Sequence, residues 1–477
     1  MGTACKTVYV IALCTWLTIY SSADDWPKYR HDLSNTGQSL EGFQASAISS
    51  LKLKWSFNTG GAVTDSPAVA TVNGTSIVFI GAWNGWFYAL NAVTGQEIWK
   101  FEVDLVGPCS VNNCRIASSP NVTNGIVYFG AENAYLYALN AASGAVVWKQ
   151  QLADPNAGYE IWSSPAVYNG IVYVGLASHG DAPCVVGQVV ARNATTGTPV
   201  WTFSTIDETT CPIAGTCVGA GVWASPALDT TNGILYVGTG NPGSTCSPST
   251  GNATKYPDSI LALNMSSGQL LNYYQAIAND NADDDFGSSP VLGVDSVQNN
   301  CTHTTTYTYY VADASKNGSL YRVNTNSSGL ILSSAVTTPL DSNGFVASPG
   351  FLVDVVESPC NPKLGIEIIH RNGGLLLPSG NGAGGTVYET NPNSKLSISP
   401  PNAIYSAPAV TRASAFAFFG STDGNLYAVS TAATTSLSIV WSYHVGASID
   451  SGPAISNGRV YFGASDGYIR CLSPNGT

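Results

Sequence analysis

Short apolar runs recur along the chain in a fixed order, parted by clusters of Gly, Asn, Ser and Thr. The clearest copy opens at Ser119-Pro120 and continues through Ile126-Val127-Tyr128-Phe129 and Tyr135-Leu136-Tyr137-Ala138-Leu139. It ends with Ser143-Gly144 and Val146-Val147-Trp148. Runs of β-branched, aromatic and small apolar residues bounded by Gly and Asn turns predict strands, so each copy predicts four. The opening pair of a small residue and a proline returns at Ser66-Pro67, Ser164-Pro165, Ser225-Pro226, Ser289-Pro290, Ser348-Pro349, Ala407-Pro408 and Gly452-Pro453. No stretch sustains a helical period, so helix is expected to be negligible.

A four-stranded unit of this kind cannot bury both faces by itself, and tandem copies bury them by stacking face to face around a ring. The pattern therefore predicts an all-β fold: an eight-bladed β-propeller of four-stranded antiparallel blades. Ordinary β-sandwich domains also contain short strands and turns, but they carry no in-register internal repeat. The eighth copy stops after Tyr468-Ile469-Arg470-Cys471-Leu472, without the Trp strand that finishes the others. An orphan run, Leu53-Lys54-Trp55-Ser56-Phe57, precedes the first copy and resembles the missing strand. Pairing the two would close the ring and leave no open radial edge. The expected organisation is a signal peptide over 1–23 and a single propeller domain over 24–477. Within that domain, 24–57 form a leader and closing strand and 58–477 form blades 1–8.

Composition narrows the function. Charged residues make up 10% of the 477, and 49 glycines fit a chain of many turns with buried sheet faces. A formal net charge of −12 disfavours nucleic acid and anionic lipid surfaces as partners. Lys6 precedes an apolar run from Val8 to Tyr20 and then Ser21-Ser22-Ala23, the pattern of a cleaved signal and of secretion. No second apolar run is long enough to span a bilayer. Sequons at Asn73, Asn121, Asn193, Asn252, Asn264, Asn300, Asn317, Asn326 and Asn475 agree with that route. Eleven cysteines include Cys5 and Cys14 of the signal, and disulfides persist outside the cell. Position in the repeat suggests the pairs Cys109–Cys114, Cys211–Cys217, Cys184–Cys246 and Cys301–Cys360, with Cys471 unpaired on a buried strand. No CxxCH is present to attach a c-type haem.

In a meander the turns alternate between the two faces of the ring. The long insertions at 102–118, 203–222, 242–258 and 275–287 fall on the face shared by strand 2-to-3 loops and blade-to-blade crossings, which marks the binding face, although blades 5 and 6 also carry long loops on the opposite face. There blades 3 to 5 bring forward Asp181, Asn241, Lys316, Trp223 and the run Asp283-Asp284-Asp285. Oxygen donors such as Asp181 and Asn241 suit Ca²⁺, a broad indole suits a flat conjugated ligand, and a lone cation suits that ligand's oxygens. Each has a plainer alternative: Trp223 as a filler of the ring centre, Asn241 as a turn residue before Pro242, Asp181 and Lys316 as solvated charges, the Asp run as a capping cluster. The repeated Trp55, Trp99, Trp148, Trp201 and Trp441 are expected to pack one blade on the next and stand outside the site.

These residues resemble the eight-bladed quinoprotein propellers, most closely their polyvinyl-alcohol-dehydrogenase-like branch. The resemblance starts with the leader from Trp26 to Gly37 and is most specific at Gly219–Pro226 and Leu235–Pro242. It continues at Val172–Asp181, Asp285–Pro290 and Lys316–Tyr321. It implies pyrroloquinoline quinone (PQQ) stacked on Trp223 and bonded by Lys316, with Ca²⁺ held by Asn241 and an acid near Asp181. The implied reaction is oxidation of an alcohol or polyol, with a carboxylate taking the hydroxyl proton and electrons leaving to an external acceptor. The family places the base ahead of the third strand of blade 4. Only Asp258 is available there, several positions late, so Asp284 and Asp285 join it as candidate bases. Two further differences are the absence of an adjacent-Cys pair and a sequon at Asn317, where a glycan would crowd Lys316. A secreted propeller that binds a glycan or protein through a degenerate cofactor site is the alternative. A scaffold role like that of the bacterial outer-membrane assembly propeller fits less well, because no lipoprotein Cys follows the signal.

Overall fold

A computed structural model describes residues 24–178, 183–211, 213–243, 255–278, 280, 283–299, 304–339, 350–353, 368–371, 373–381, 384–391, 394–398, 402–411, 416–431 and 437–476. Its strands form eight antiparallel sheets, six of four strands and two of five, an all-β arrangement consistent with a propeller. The first sheet is typical: Ala68–Val72, Thr75–Gly81, Trp86–Asn91 and Glu97–Glu102 follow one another as a meander. Second and third strands such as Ile126–Gly130 and Tyr135–Asn140 are buried almost throughout, because both faces of the sheet are covered. Fourth strands such as Val146–Gln151 bury little besides their Trp. Leu51–Asn58 pairs antiparallel with Tyr468–Pro474, placing Trp55 opposite Cys471 and supplying the fourth strand of the last sheet.

The repeat residues explain how neighbouring sheets meet. Among the described residues each anchor serine offers its hydroxyl to the backbone N–H of the preceding anchor: Ser66 N donates to Ser119 Oγ (2.8 Å), Ser119 N to Ser164 Oγ, Ser164 N to Ser225 Oγ and Ser225 N to Ser289 Oγ. Gly452 N donates to Ser66 Oγ (3.0 Å), so the last anchor is bonded to the first. These buried N–H groups lie outside any strand ladder, and the hydroxyl satisfies them where an alanine would not. At the outer edge, Nε1 of Trp55, Trp99, Trp148 and Trp201 donates to the carbonyl of Ala92, Ala141, Ala194 and Met265 respectively, each in the following sheet. The indoles lie on glycines: a methyl group at Gly95 would sit 2.6 Å from Trp55 and one at Gly144 2.8 Å from Trp99. Those turns therefore require Gly for closeness as well as for their positive φ.

The leader runs along the inner strands. Trp26 pairs with Val69, Pro27 O accepts from Val122 N, and Leu33 O accepts from Leu228 N. Ser34 O accepts from Leu292 N, Gly37 O from Val410 N, and the Glu41 carboxylate from Asn457 N and Gly458 N. The leader thus touches the first strands of sheets one, two, four, five and seven in chain order and the first turn of sheet eight. Its Lys28 and Arg30 side chains are buried. Lys28 Nζ donates to Tyr29 O, Asp32 O and Asn35 Oδ1, and burial pushes it down to about 7.

Three departures from the expected pattern stand out, the first a short strand, Tyr159–Glu160, that pairs with Ile171–Ser178 and gives the third sheet its fifth strand. A one-turn helix, Ala45–Ser49, leads into the first strand. The fifth sheet has a fifth strand because Val291–Asn299 and Thr304–Ser315 form a long hairpin whose free edge is paired by Ile368–Arg371. The pairs Cys109–Cys114 and Cys211–Cys217 are disulfides as expected, and Cys471 is free and buried. Cys184 is also disulfide-bonded. Cys246, Cys301 and Cys360 lie outside the described residues.

Candidate functional site

The anchors surround a cavity of about 210 Å³. The residues before the anchor prolines, Ser66 to Ser289 among them, line it, and so do those three places before the prolines: Thr64, Ala117, Trp162, Trp223, Gly287, Tyr405 and Asp450. One repeat position thus supplies three aromatic rings and a carboxylate to a single wall. Tyr29 of the leader also lines it.

Beside Trp223 the structure gathers most of the residues singled out above. Lys316 N donates to Asp285 O (2.8 Å), and Phe286 pairs with Ser315, which fastens the crossing before the fifth sheet to the loop after its second strand. Lys316 Nζ is 2.7 Å from Asp285 Oδ1 and 2.8 Å from Asp283 Oδ1, and lies 5.3 Å from the centre of the Trp223 ring. Trp223 Nε1 donates to Asp285 Oδ2 (3.3 Å). Asp285, 2% exposed, is therefore held by a cation on one oxygen and an indole N–H on the other. Its Oδ2 lies against Gly240, where a methyl group would come within 3.3 Å. Asp258 N donates to the carbonyl of the same glycine (3.0 Å), and Asn241 follows it in the chain. Asp284 N donates to Asp280 Oδ2 (2.8 Å).

Five carboxylates and one lysine leave this neighbourhood strongly acidic. Burial raises Asp285 to about 6, with Lys316 opposing the rise. Burial, with Asp280, Asp285 and Asp284 adding to it, carries Asp258 to about 9, and its Oδ1 is buried without a hydrogen-bond partner. Asp284 is raised by burial and by Asp280. Burial alone would lower Lys316, but Asp285 and Asp283 raise it above the usual lysine value. An orphaned buried oxygen among mutually repelling carboxylates fits a hard cation, which prefers such donors and would lower each of these values.

A second neighbourhood was not singled out by the sequence. Arg115 pairs with Glu132 (2.7 Å) and Glu160 (3.6 Å), and its guanidinium lies 5.5 Å from the Trp83 ring centre and 5.7 Å from that of Trp162. Glu160 accepts a 2.6 Å bond from Trp162 Nε1. Burial raises Glu160 to about 7 even though that bond opposes the rise. Trp162 stands three residues before Pro165 as Trp223 does before Pro226, and that spacing was the available signal.

Of the expected site residues, Trp223, Lys316, Asp258, Asp284, Asp285 and the backbone of Asn241 come together, and Asp181 lies outside the described residues. Residues 26–329 match the family described as PQQ, glucose/ethanol/alcohol dehydrogenase, beta-propeller domain. The chain belongs to this family. It is an alcohol-dehydrogenase-like enzyme of the PQQ type. A polyvinylalcohol dehydrogenase of Pseudomonas sp is 24% identical over 500 residues, covering 92% of this chain and 73% of the relative. Among solved structures, the quinohemoprotein alcohol dehydrogenase of Comamonas testosteroni superposes with a TM-score of 0.72 at 20% identity, covering 95% of this chain and 81% of its own. A europium-containing methanol dehydrogenase gives 0.70 at 18%, covering 94% and 98%. BamB of Moraxella catarrhalis gives 0.56 at 15%, covering 89% and 99%. These structural likenesses show the fold, and a fold shared this widely leaves function to the site.

Proposed function

We propose that this member of the PQQ family is a secreted quinoprotein that oxidises an alcohol or polyol with PQQ and Ca²⁺ and hands the electrons to an external acceptor. In this reading the eight sheets are the eight blades of one closed propeller over 24–477, sealed by the N-terminal strand, and 1–23 is removed on export. The observation that carries the proposal is the convergence of Asp285, Lys316 and Trp223 beside Asp258 and Gly240. Trp223 offers the quinone a flat apolar face. Lys316 offers its charge, and Asn241, Asp181 and the orphaned oxygen of Asp258 suit the cation. When bound, the quinone supplies a two-electron acceptor and Ca²⁺ supplies Lewis-acid polarisation.

The chain's own contribution is the proton. Asp285 at about 6 is mostly ionised at neutral pH and still basic enough to take a hydroxyl proton on its carboxylate oxygen. Lys316 and the Trp223 N–H keep that carboxylate in place and favour its charged form. Asp258, raised to about 9, holds its proton at neutral pH unless a cation displaces it, which makes it the poorer base. Asp284 lies at the more exposed edge of the group. Among the three candidates the geometry therefore favours Asp285. The test adds PQQ and Ca²⁺ to purified protein and follows melting temperature and dye reduction with simple alcohols and polyols. A rise in Tm with turnover is expected, and no Tm response to PQQ would overturn the assignment.

A further inference from the structure

The sequons sort by face. Asn73 lies in the turn between Ala68–Val72 and Thr75–Gly81, and Asn193, Asn264 and Asn326 each end a third strand. In a meander these strand 1-to-2 and strand 3-to-4 turns share the face away from Lys316, which sits in a strand 2-to-3 loop. Asn73 and Asn326 are exposed, Asn193 and Asn264 are half-buried, and the hydroxyl residues Thr75, Thr195, Ser266 and Ser328 are all exposed. Asn193 Oδ1 accepts from Thr195 N and Thr196 N, Asn264 Oδ1 from Ser266 N and Ser267 N, and Asn326 Oδ1 from Ser328 N. These turns occupy the carbonyl oxygen, and among the described residues no hydrogen bond uses the Nδ2 of these three.

Two other sequons are engaged. Asn121 is 2% exposed, and its Nδ2 donates to Pro165 O (3.1 Å) across the contact between the second and third sheets. Asn317 Nδ2 donates to Tyr321 Oη (2.8 Å) next to Lys316. Asn121 is too deeply buried to take a sugar unless the two sheets part, and a sugar on Asn317 would crowd the tyrosine hydroxyl beside the carboxylate cluster. Asn252, Asn300 and the Thr477 of the Asn475 sequon lie outside the described residues.

We propose that the secreted, folded protein carries N-linked glycans at Asn73, Asn193, Asn264 and Asn326, on the face opposite the carboxylate cluster, and none at Asn121 or Asn317. The inference rests on the secreted reading above. The donor is a lipid-pyrophosphate-linked oligosaccharide of a eukaryotic secretory route. Asn Nδ2 bonds to the first sugar carbon, the bond from that carbon to the pyrophosphate oxygen breaks, the lipid pyrophosphate leaves, and the amide gives up one proton. Since attachment acts on unfolded chain, the folded structure selects which products survive: a chain modified at Asn121 cannot complete its packing. The four glycans leave the cavity mouth clear and shield the opposite face from contacts.

The test secretes the full chain from a eukaryotic host and maps occupancy by enzymatic deglycosylation in oxygen-18 water with peptide mass spectrometry. Occupancy at the four sites with none at Asn121 and Asn317 is expected. A glycan on Asn121 or Asn317 in the folded product, or none on the four, overturns the proposal. Replacing the hydroxyl residues (T75A, T195A, S266A, S328A) keeps each asparagine and the backbone N–H bonds of its turn, with S266A losing only the bond from Ser266 Oγ to Asn264 Oδ1. Each variant is expected to remove one glycan's mass without loss of secretion, and an unchanged mass counts against that site. The N-terminus of the product reports separately whether 1–23 directs export. If it does not, a foreign signal placed ahead of the chain gives the same occupancy reading.

Discussion

Trp162 and Trp223 hold the same place in successive repeats and line the same cavity, and each has a cation and carboxylates around it. The two neighbourhoods differ in their balance. Arg115 faces Glu132 and Glu160, and the Trp162 N–H completes a compact bonded set. Lys316 faces a group of five aspartates that includes a buried oxygen with no partner. The same kit of residues therefore makes a closed ion-pair network in one sheet and an open acidic site in a nearby one. Excess charge that the protein itself does not neutralise is what distinguishes a place prepared for a ligand.

The largest test of that contrast is turnover. Asp285→Asn is expected to lower dye-linked alcohol oxidation by roughly 10²–10⁴-fold, the usual worth of a general base, while Glu160→Gln leaves it within the same order of magnitude. Equal losses would erase the distinction. Cofactor affinity comes next. Trp223→Ala is expected to weaken PQQ binding about tenfold, as loss of an aromatic stack of about 1.4 kcal/mol implies, and Trp162→Ala to weaken it less, both read by fluorescence titration.

Stability against pH sharpens the comparison further. Asp258 and Asp285 are raised in the folded chain, so each favours the fold below the unfolded carboxylate value of 3.8 and loses that contribution as pH rises through about 9 and about 6 respectively. Metal-free protein should therefore melt lower at pH 8 than at pH 5. Ca²⁺ should recover most of the difference, and Asp258→Asn should flatten the profile. A profile that rises from pH 5 to 8 and ignores Ca²⁺ would contradict a cation site. The smallest expected effect is that of Glu160→Gln on stability, a modest gain that grows as pH rises from 4.5 and is complete above about 7, as Glu160 loses its contribution.

How much of this was legible in the sequence varies by residue. The serine of each Ser-Pro pair marks a sheet's inner end because a buried N–H needs its hydroxyl, and the Trp-and-Gly spacing marks the outer contact because an indole needs a bare backbone to lie on. Both follow from local requirements that recur in several copies, so they can be counted in a linear string. Trp223 and Lys316 stand out through the motifs around them. Trp162 has the same spacing from its proline but no such motif, and Glu160 and Arg115 lie far apart in the chain. Asp258, Asp284 and Asp285 were equal candidates in the sequence, because nothing linear states which carboxylate meets Lys316 and the Trp223 N–H.

The all-β four-stranded repeat and its Ser-Pro anchors could be read from the chain, since each is a short-range pattern, and the partner of the first strand followed from the strand that the last copy lacks. Tertiary structure decided which acid faces the cation, which Trp is tied into an ion-pair network, which sequon asparagines are already bonded, and that the leader runs along the first strands of five sheets. Those outcomes depend on distances between residues scores of positions apart, and burial and charge act on distance in space.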